Sequence, residues 1–202
     1  QFPMDIIETM ARQDKICNYL DIPLQHAADN VLKSMRRKVT NQDTRNIINE
    51  IRSILPEIAI RTTMLVGFPG ETRDDIEQLK DFIEEMRFER LGVFNYSHEE
   101  GTHGYKLEDN VSPEDKIARA NEVMEVQQEI SLALNEAKIG KTFKVLFDKK
   151  EGENFIGRTE YDSPDVDNEV LIDAKKQYVA IGEFAQVKIT DATDFDLFGE
   201  LV

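Results

Sequence analysis

"IAIRTTMLVGFPGETRDDIEQLKDFI", residues 58–83, changes structural period in its middle. Residues 58–66 are β-rich and apolar, interrupted by charge only at Arg61, the pattern of a parallel strand buried on both faces. Gly67, Phe68, Pro69 and Gly70 make the turn that follows. Thr72, with Asp75 three residues later, then carries the signature of a helix amino terminus. Ile76, Leu79, Phe82, Ile83 and Met86 place one apolar stripe on that helix. A buried strand, a glycine turn and an amphipathic helix together form one βα unit.

The same unit recurs on either side. Upstream, residues 16–22 read as a strand that stops at Pro23, and Leu32 and Met35 mark a short helix. Thr40 and Asp43 repeat the capping signal before a helix striped by Ile47, Ile48, Ile51 and Ile54, which Pro56 ends. Before all of these, Ile6, Ile7 and Met10 fall at helical spacing over residues 3–12. Because the chain starts without Met in what reads as the middle of a helix, a fragment of a longer protein is expected. Downstream, residues 91–96 form a third strand, ending in a loop over residues 97–111. Three strand-then-helix repeats predict parallel βα units of a barrel or a doubly wound sheet, and three strands cannot close a barrel alone. The open edges this leaves predict self-association.

Ser112 and Pro113 open the longest helix, with Ile117, Ala120, Met124, Ile130, Leu134 and Ala137 as its expected buried stripe and Gly140 as its end. Beyond it the texture changes to short alternating runs at residues 143–147, 154–158, 170–172 and 184–189, as in a small antiparallel β-barrel. The organisation read is therefore residues 1–111, a connecting helix over 112–138, and a barrel over 139–202.

Charge narrows the function. The chain of 202 residues has 25 Lys or Arg against 40 Asp or Glu, a net charge of −15, which opposes a general phosphate-backbone binder and suits a basic protein partner. The barrel segment, with 8 basic and 14 acidic residues, is itself at −6. No stretch approaches the roughly 20 apolar residues of a membrane span, so a cytoplasmic location is expected. The single Cys17 rules out an intrachain disulfide and a cysteine-clustered metal site within these residues.

Several motifs in one order carry a resemblance: Tyr19-Leu-Asp-Ile-Pro-Leu-Gln-His26, Met35-Arg-Arg37, Arg61-Thr-Thr-Met-Leu-Val-Gly-Phe-Pro-Gly-Glu-Thr72 and Tyr96-Ser-His-Glu-Glu-Gly-Thr102. Together they resemble the radical-SAM methylthiotransferases. Gly157-Arg-Thr-Glu-Tyr-Asp-Ser-Pro-Asp165 and the closing Asp196-Leu-Phe-Gly199 look like that family's terminal TRAM barrel, which is OB-like. The fold implied is α/β, part of a radical-SAM TIM-like (βα) barrel followed by the small β-barrel. The activity implied begins when a 4Fe-4S cluster reductively cleaves S-adenosylmethionine to a radical that abstracts hydrogen from the target. A methylthio group is then installed.

The full-length family enzyme carries S-adenosylmethionine and two 4Fe-4S clusters. The three-cysteine motif is absent from this chain, so none of these is expected bound by it, and no turnover is expected from it alone. Of the family's branches, the one acting on an aspartate β-carbon of ribosomal protein S twelve fits better than the one acting on a tRNA adenosine. His26, Thr63 and the Glu99-Glu100 pair stand where the tRNA branch usually carries other residues. A non-catalytic module docking a ribosomal protein or RNA is the rival of a different class, and nucleic acid is not expected as the primary partner.

Site residues follow from that resemblance. Gln25 and His26 lie at the carboxyl end of a parallel strand, where α/β barrels bind ligands. Arg37 suits the carboxylate of S-adenosylmethionine as a planar two-pronged donor, while Arg36 and Lys38 read as a solvated helix end. Arg61, a charge inside an apolar strand, is either a structural ion pair or a contact to cofactor or target. Val66, Gly67, Phe68, Phe94 and Tyr96 are candidates either to pack on adenine or to belong to the barrel core, and the glycine turn is either an ordinary βα turn or one whose free N–H groups are available to negative charge. Asp21, His26, Glu99 and Glu100 are expected to face the target, Asp21 either pointing into the barrel or capping a turn. His98, Glu99 and His103 are too irregular in spacing to argue a metal, and a target-facing acidic loop is preferred.

Overall fold

The computed structural model describes residues 2–202. Helix α1 (Met4–Met10) begins after an extended Pro3, so the described residues open ahead of a helix and not within one as read from the sequence. Proline suits that position because a helix leaves its first N–H groups without partners. Ile7 and Met10 are buried, whereas Ile6 is exposed. There follow β1 (Tyr19–Asp21), α2 (Asp29–Ser34), α3 (Asn41–Ile54), β2 (Ala59–Val66), α4 (Arg73–Met86) and β3 (Arg90–Asn95). The three strands pair in parallel in the order β1-β2-β3. Both capping boxes close as read: Thr40 and Asp43 at α3, Thr72 and Asp75 at α4, with side chain and backbone bonded in both directions.

β2 is not buried on both faces. Ile60, Met64 and Val66 turn to the helices and share one core with Ile48, Ile51, Ile76, Leu79, Phe82 and Phe88. Arg61, Thr63 and Leu65 lie on the opposite face, only partly covered, beside Phe94, which is 61% exposed. Helices pack on one face of the sheet only, so the apolar run resolves into alternation. β1 is likewise shorter than read, with Ile16 exposed, because pairing with β2 starts only at Tyr19 and Ala59.

Helix α5 (Pro113–Glu136) is capped by Ser112, which accepts from the Asp115 N–H. The stripe read holds at Ile130, which is buried, and at Ala120 and Leu134, which pack partly buried against the same core, but Lys116, Val123, Gln127, Ser131 and Asn135 are also inside, and Ile117 and Ala137 are outside. Two of the polar members donate to other elements, Gln127 to the Phe88 carbonyl at 2.9 Å and Asn135 to the Thr193 carbonyl at 2.9 Å, while Gln127 Oε1 has no hydrogen-bond partner among the described residues.

The last strands, β4 (Thr142–Glu151), β5 (Asn154–Arg158), β6 (Glu169–Asp173), β7 (Phe184–Ala192) and β8 (Asp196–Leu201), close a barrel in the order β4-β5-β6-β8-β7. Four runs were legible in the sequence; β8 supplies the fifth strand, and its pairing with β6 is parallel rather than antiparallel. Val145, Phe147, Phe155, Val170, Ile172, Val187, Ile189 and Leu197 fill the interior. Gly157 is required where β5 crosses β4, since a Cβ there would stand 2.5 Å from the Leu146 carbonyl oxygen.

Candidate functional site

The carboxyl ends of β2 and β3 open onto a cleft of about 300 Å³, lined by Gln25, Met35, Arg37, Leu65, Phe68, Tyr96 and the 97–104 loop. Its shape starts at Pro23, where β1 loses an N–H. The Leu24 N–H donates instead to Thr62 Oγ1 at 3.3 Å, and that hydroxyl donates to the Ile22 carbonyl at 2.9 Å. Pairing resumes one residue out of step, with Gln25 opposite Met64 and its N–H on the Thr63 carbonyl at 2.9 Å. This bulge holds Gln25 at φ 76, a left-handed conformation that costs a non-glycine residue about 1 kcal/mol.

Arg37 is set by the end of α2. The Arg36 N–H bonds the Lys33 carbonyl at 3.0 Å and the Arg37 N–H bonds the Leu32 carbonyl at 2.8 Å, with Arg36 at φ 60. That is a Schellman closure built without glycine. It brings the exposed Arg37 guanidinium to the cleft rim, where its one side-chain hydrogen bond among the described residues is to the Pro23 carbonyl at 3.4 Å. The remaining donors are free for an anionic ligand.

Phe68 and Tyr96 meet edge to face, centroids 5.0 Å apart, above a small apolar cluster of Ala28, Val31, Met35, Leu65 and Leu107. The Lys116 ammonium lies 5.1 Å over the Tyr96 ring and donates to Asp109 at 2.7 Å. Burial, then the nearby Asp109 and Glu99, push the Tyr96 hydroxyl pKa up, so it stays protonated in ordinary conditions.

Several expected site residues sit elsewhere. Val66 faces the helical core at 0% exposure. The Gly67 N–H is taken by Glu71 Oε1 at 2.8 Å and the Gly70 N–H by Asn110 Oδ1 at 2.8 Å, so the glycine turn has no free cradle for an anion there. His26 is 1% exposed and faces inward rather than toward a target. Its Nδ1 accepts from the Ala28 N–H at 2.9 Å, and its Nε2 stands 3.3 Å from Glu71 Oε2, off the line of a hydrogen bond and with no other partner. Phe94 lies on the open sheet face outside the cleft. Asp21 and Arg61 pair with each other at 3.3 Å at the opposite end of the sheet. Glu99 lines the cleft and accepts from the Ser97 hydroxyl at 2.5 Å, while Glu100 is exposed.

Three residues of consequence were not read from the sequence: Glu71, Lys116 and Arg119. Burial alone raises the Glu71 pKa, but His26, Arg119 and the Gly67 N–H outweigh it and hold the carboxyl below the ordinary range. Arg119 donates to both the Glu71 side chain at 2.8 Å and its carbonyl at 3.1 Å. The available signal was a pair of cations three apart on the long helix, passed over because only apolar residues were counted in its stripe.

Residues 2–83 match the radical SAM superfamily, and residues 139–202 match the TRAM domain. The chain is a radical SAM segment followed by a TRAM domain. Across both parts it is 58% identical to the ribosomal protein uS12 methylthiotransferase RimO of Flavobacterium johnsoniae, covering 98% of this chain and 46% of that protein. The protein of the same name from Christiangramia forsetii is 60% identical over 98% of this chain and 44% of its own length. That of Cytophaga hutchinsonii is 56% identical over the whole chain and 46% of its own length. The chain thus spans about half the length of these relatives. The cleft draws Gln25, Met35, Arg37, Leu65 and Phe68 from the radical SAM match and Tyr96 and the 97–104 loop from beyond it, and the TRAM domain packs against the other end of the same sheet. No helix among the described residues is long and apolar enough to cross a membrane.

Proposed function

We propose that this chain is the part of a radical-SAM methylthiotransferase that completes the S-adenosylmethionine cleft and presents the TRAM domain to ribosomal protein uS12. The observation that carries this reading is the identity of 56–60% to proteins of that name, running through both parts of the chain. The residues of the cleft fit the cofactor: Arg37 offers unpaired guanidinium donors to a carboxylate, and Phe68 and Tyr96 offer an aromatic wall to a base. When bound, S-adenosylmethionine supplies the radical chemistry of the reaction. Gln25 shapes the floor through its bulge, and Glu71 holds the turn beneath Phe68. A 4Fe-4S cluster does not fit these residues, since one exposed cysteine cannot ligate it, and its ligands belong to the remainder of the complete enzyme.

The target reading rests on charge. A net charge of −15 favours encounter with a basic protein and opposes a phosphate backbone. Calorimetric titration of the chain with purified uS12, and separately with tRNA, tests it. Saturable uS12 binding is expected. Failure to bind uS12 together with tight, steeply salt-dependent tRNA binding overturns the target in favour of a tRNA adenosine.

A further inference from the structure

Arg61 of β2 and Arg90 of β3 are register partners on adjacent parallel strands. Two like charges side by side in a sheet repel, and Arg90 is 6% exposed, so water does not relieve it. One loop of the TRAM domain, between β5 and β6, brings an aspartate to each. Asp162 accepts from both Nε (3.1 Å) and Nη2 of Arg90, and its carboxylate is 1% exposed. Asp167, 2% exposed, accepts the Tyr19 hydroxyl at 2.7 Å and stands 3.6 Å from Arg61 Nε. The same loop is tied within itself, Thr159 donating to Asp162 at 2.6 Å and the Ser163 N–H to Asp167 at 2.8 Å. Each carboxylate is therefore also tied within its own loop.

We infer that Arg61, Arg90, Asp162 and Asp167 are positioning residues, a two-point latch that fixes the angle between the TRAM domain and the sheet bearing the cleft. Resting on the reading of the TRAM domain as the docking unit, the latch sets where a docked target stands relative to the cleft at the sheet's other end. Removing Arg90 leaves the buried Asp162 carboxylate without its counter-charge, and removing Arg61, which also pairs with Asp21, leaves the buried Asp167 carboxylate with only the neutral Tyr19 hydroxyl and its own loop's N–H, so the closed arrangement loses its advantage over tilted ones. The latch differs from a generic interface in chemistry: it demands charge at two registered points, and Arg61→Lys retains that charge whereas Arg61→Gln does not.

Pulsed electron-resonance distances test it in the full 202-residue chain with Cys17→Ser and spin labels at Glu84→Cys on α4 and Lys176→Cys in the TRAM domain, both exposed positions. A single narrow distribution is expected for this background and for Arg61→Lys. Arg61→Gln and Arg90→Gln, which leave the loop's own bonds untouched, are each expected to broaden or shift it, as are Asp162→Asn and Asp167→Asn. Circular dichroism confirms that each variant is folded. An unchanged distribution in the folded Arg61→Gln, Arg90→Gln double variant overturns the latch, and so does broadening confined to the aspartate variants, which would assign the aspartates to loop folding alone. These distances involve no target: absence of uS12 binding with a broadened distribution would sink the docking reading and leave the latch standing.

Discussion

Glu71 and Arg119 join the turn after β2 to helix α5, the guanidinium donating to Oε1 at 2.8 Å while the carboxylate is wholly enclosed. Residues 71 and 119 belong to different elements, yet the charge on one is what makes the other tolerable inside. Because the same Oε1 accepts the Gly67 N–H, a change on α5 is felt in the turn beneath the cleft.

Arg119→Met is expected to destabilise the chain by about 3 kcal/mol, the scale for a buried carboxylate stripped of its partner. Urea unfolding measures it. A loss below about 1 kcal/mol would mean that His26 and the Gly67 N–H suffice without the arginine.

Acid sensitivity follows from the same carboxyl. Its pKa is depressed on folding, so its stabilisation is fully present above the ordinary glutamate range and fades as pH falls through the lower folded value. Glu71→Gln should therefore unfold with a flatter dependence on pH below about 4.5 than the parent. Parallel acid limbs for the two proteins would contradict this assignment.

Gly67 has φ 76, and a Cβ there would lie 2.3 Å from Lys116 Cγ. Gly67→Ala meets both a backbone penalty and a clash near the root of a held side chain, together expected to cost about 2–3 kcal/mol. Shortening the neighbour with Lys116→Ala should recover part of that cost, leaving roughly the backbone term of about 1 kcal/mol. Strict additivity of the two substitutions in thermal unfolding would count against the contact.

Lys138 is partly buried beside the latch, and burial, with Arg90 nearby, brings its pKa down to about 8. The folded chain loses this proton near pH 8 and the unfolded chain near 10.5, so between them the unfolded state holds more protons and stability rises with pH. Relative to Lys138→Met, the parent should gain about 1–2 kcal/mol across that window after allowance for solvent screening. Curves that stay parallel from pH 7 to about 10 would show that the ammonium remains hydrated.

The elements that could be read in advance are those whose signals are local. Thr40 with Asp43, Thr72 with Asp75, and Ser112 with Pro113 each begin a helix where the spacing placed it, because capping bonds span three residues. β8 was missed as a strand because its partners, β6 and β7, give a six-residue run meaning only once the barrel closes. The cleft was half legible. Gln25, Arg37, Phe68 and Tyr96 line one cleft, but His26 and Val66 turned inward, since direction at a bulge or strand end depends on which face the helices cover.

Sequence by itself determined the parallel βα units, the helix starts, the change to a barrel after α5 and the acidic surface, all consequences of short-range periodicity and composition. Tertiary structure alone decided that β2 is covered on one face and that the buried stripe of α5 carries Lys116, Gln127 and Asn135. It also decided that Arg61 and Arg90 find their counter-charges in a single loop of the TRAM domain. A lone arginine in a strand signals only that a partner is required; which carboxylate answers it, 72 residues away for Arg90, is set by the packing of two distinct hydrophobic cores.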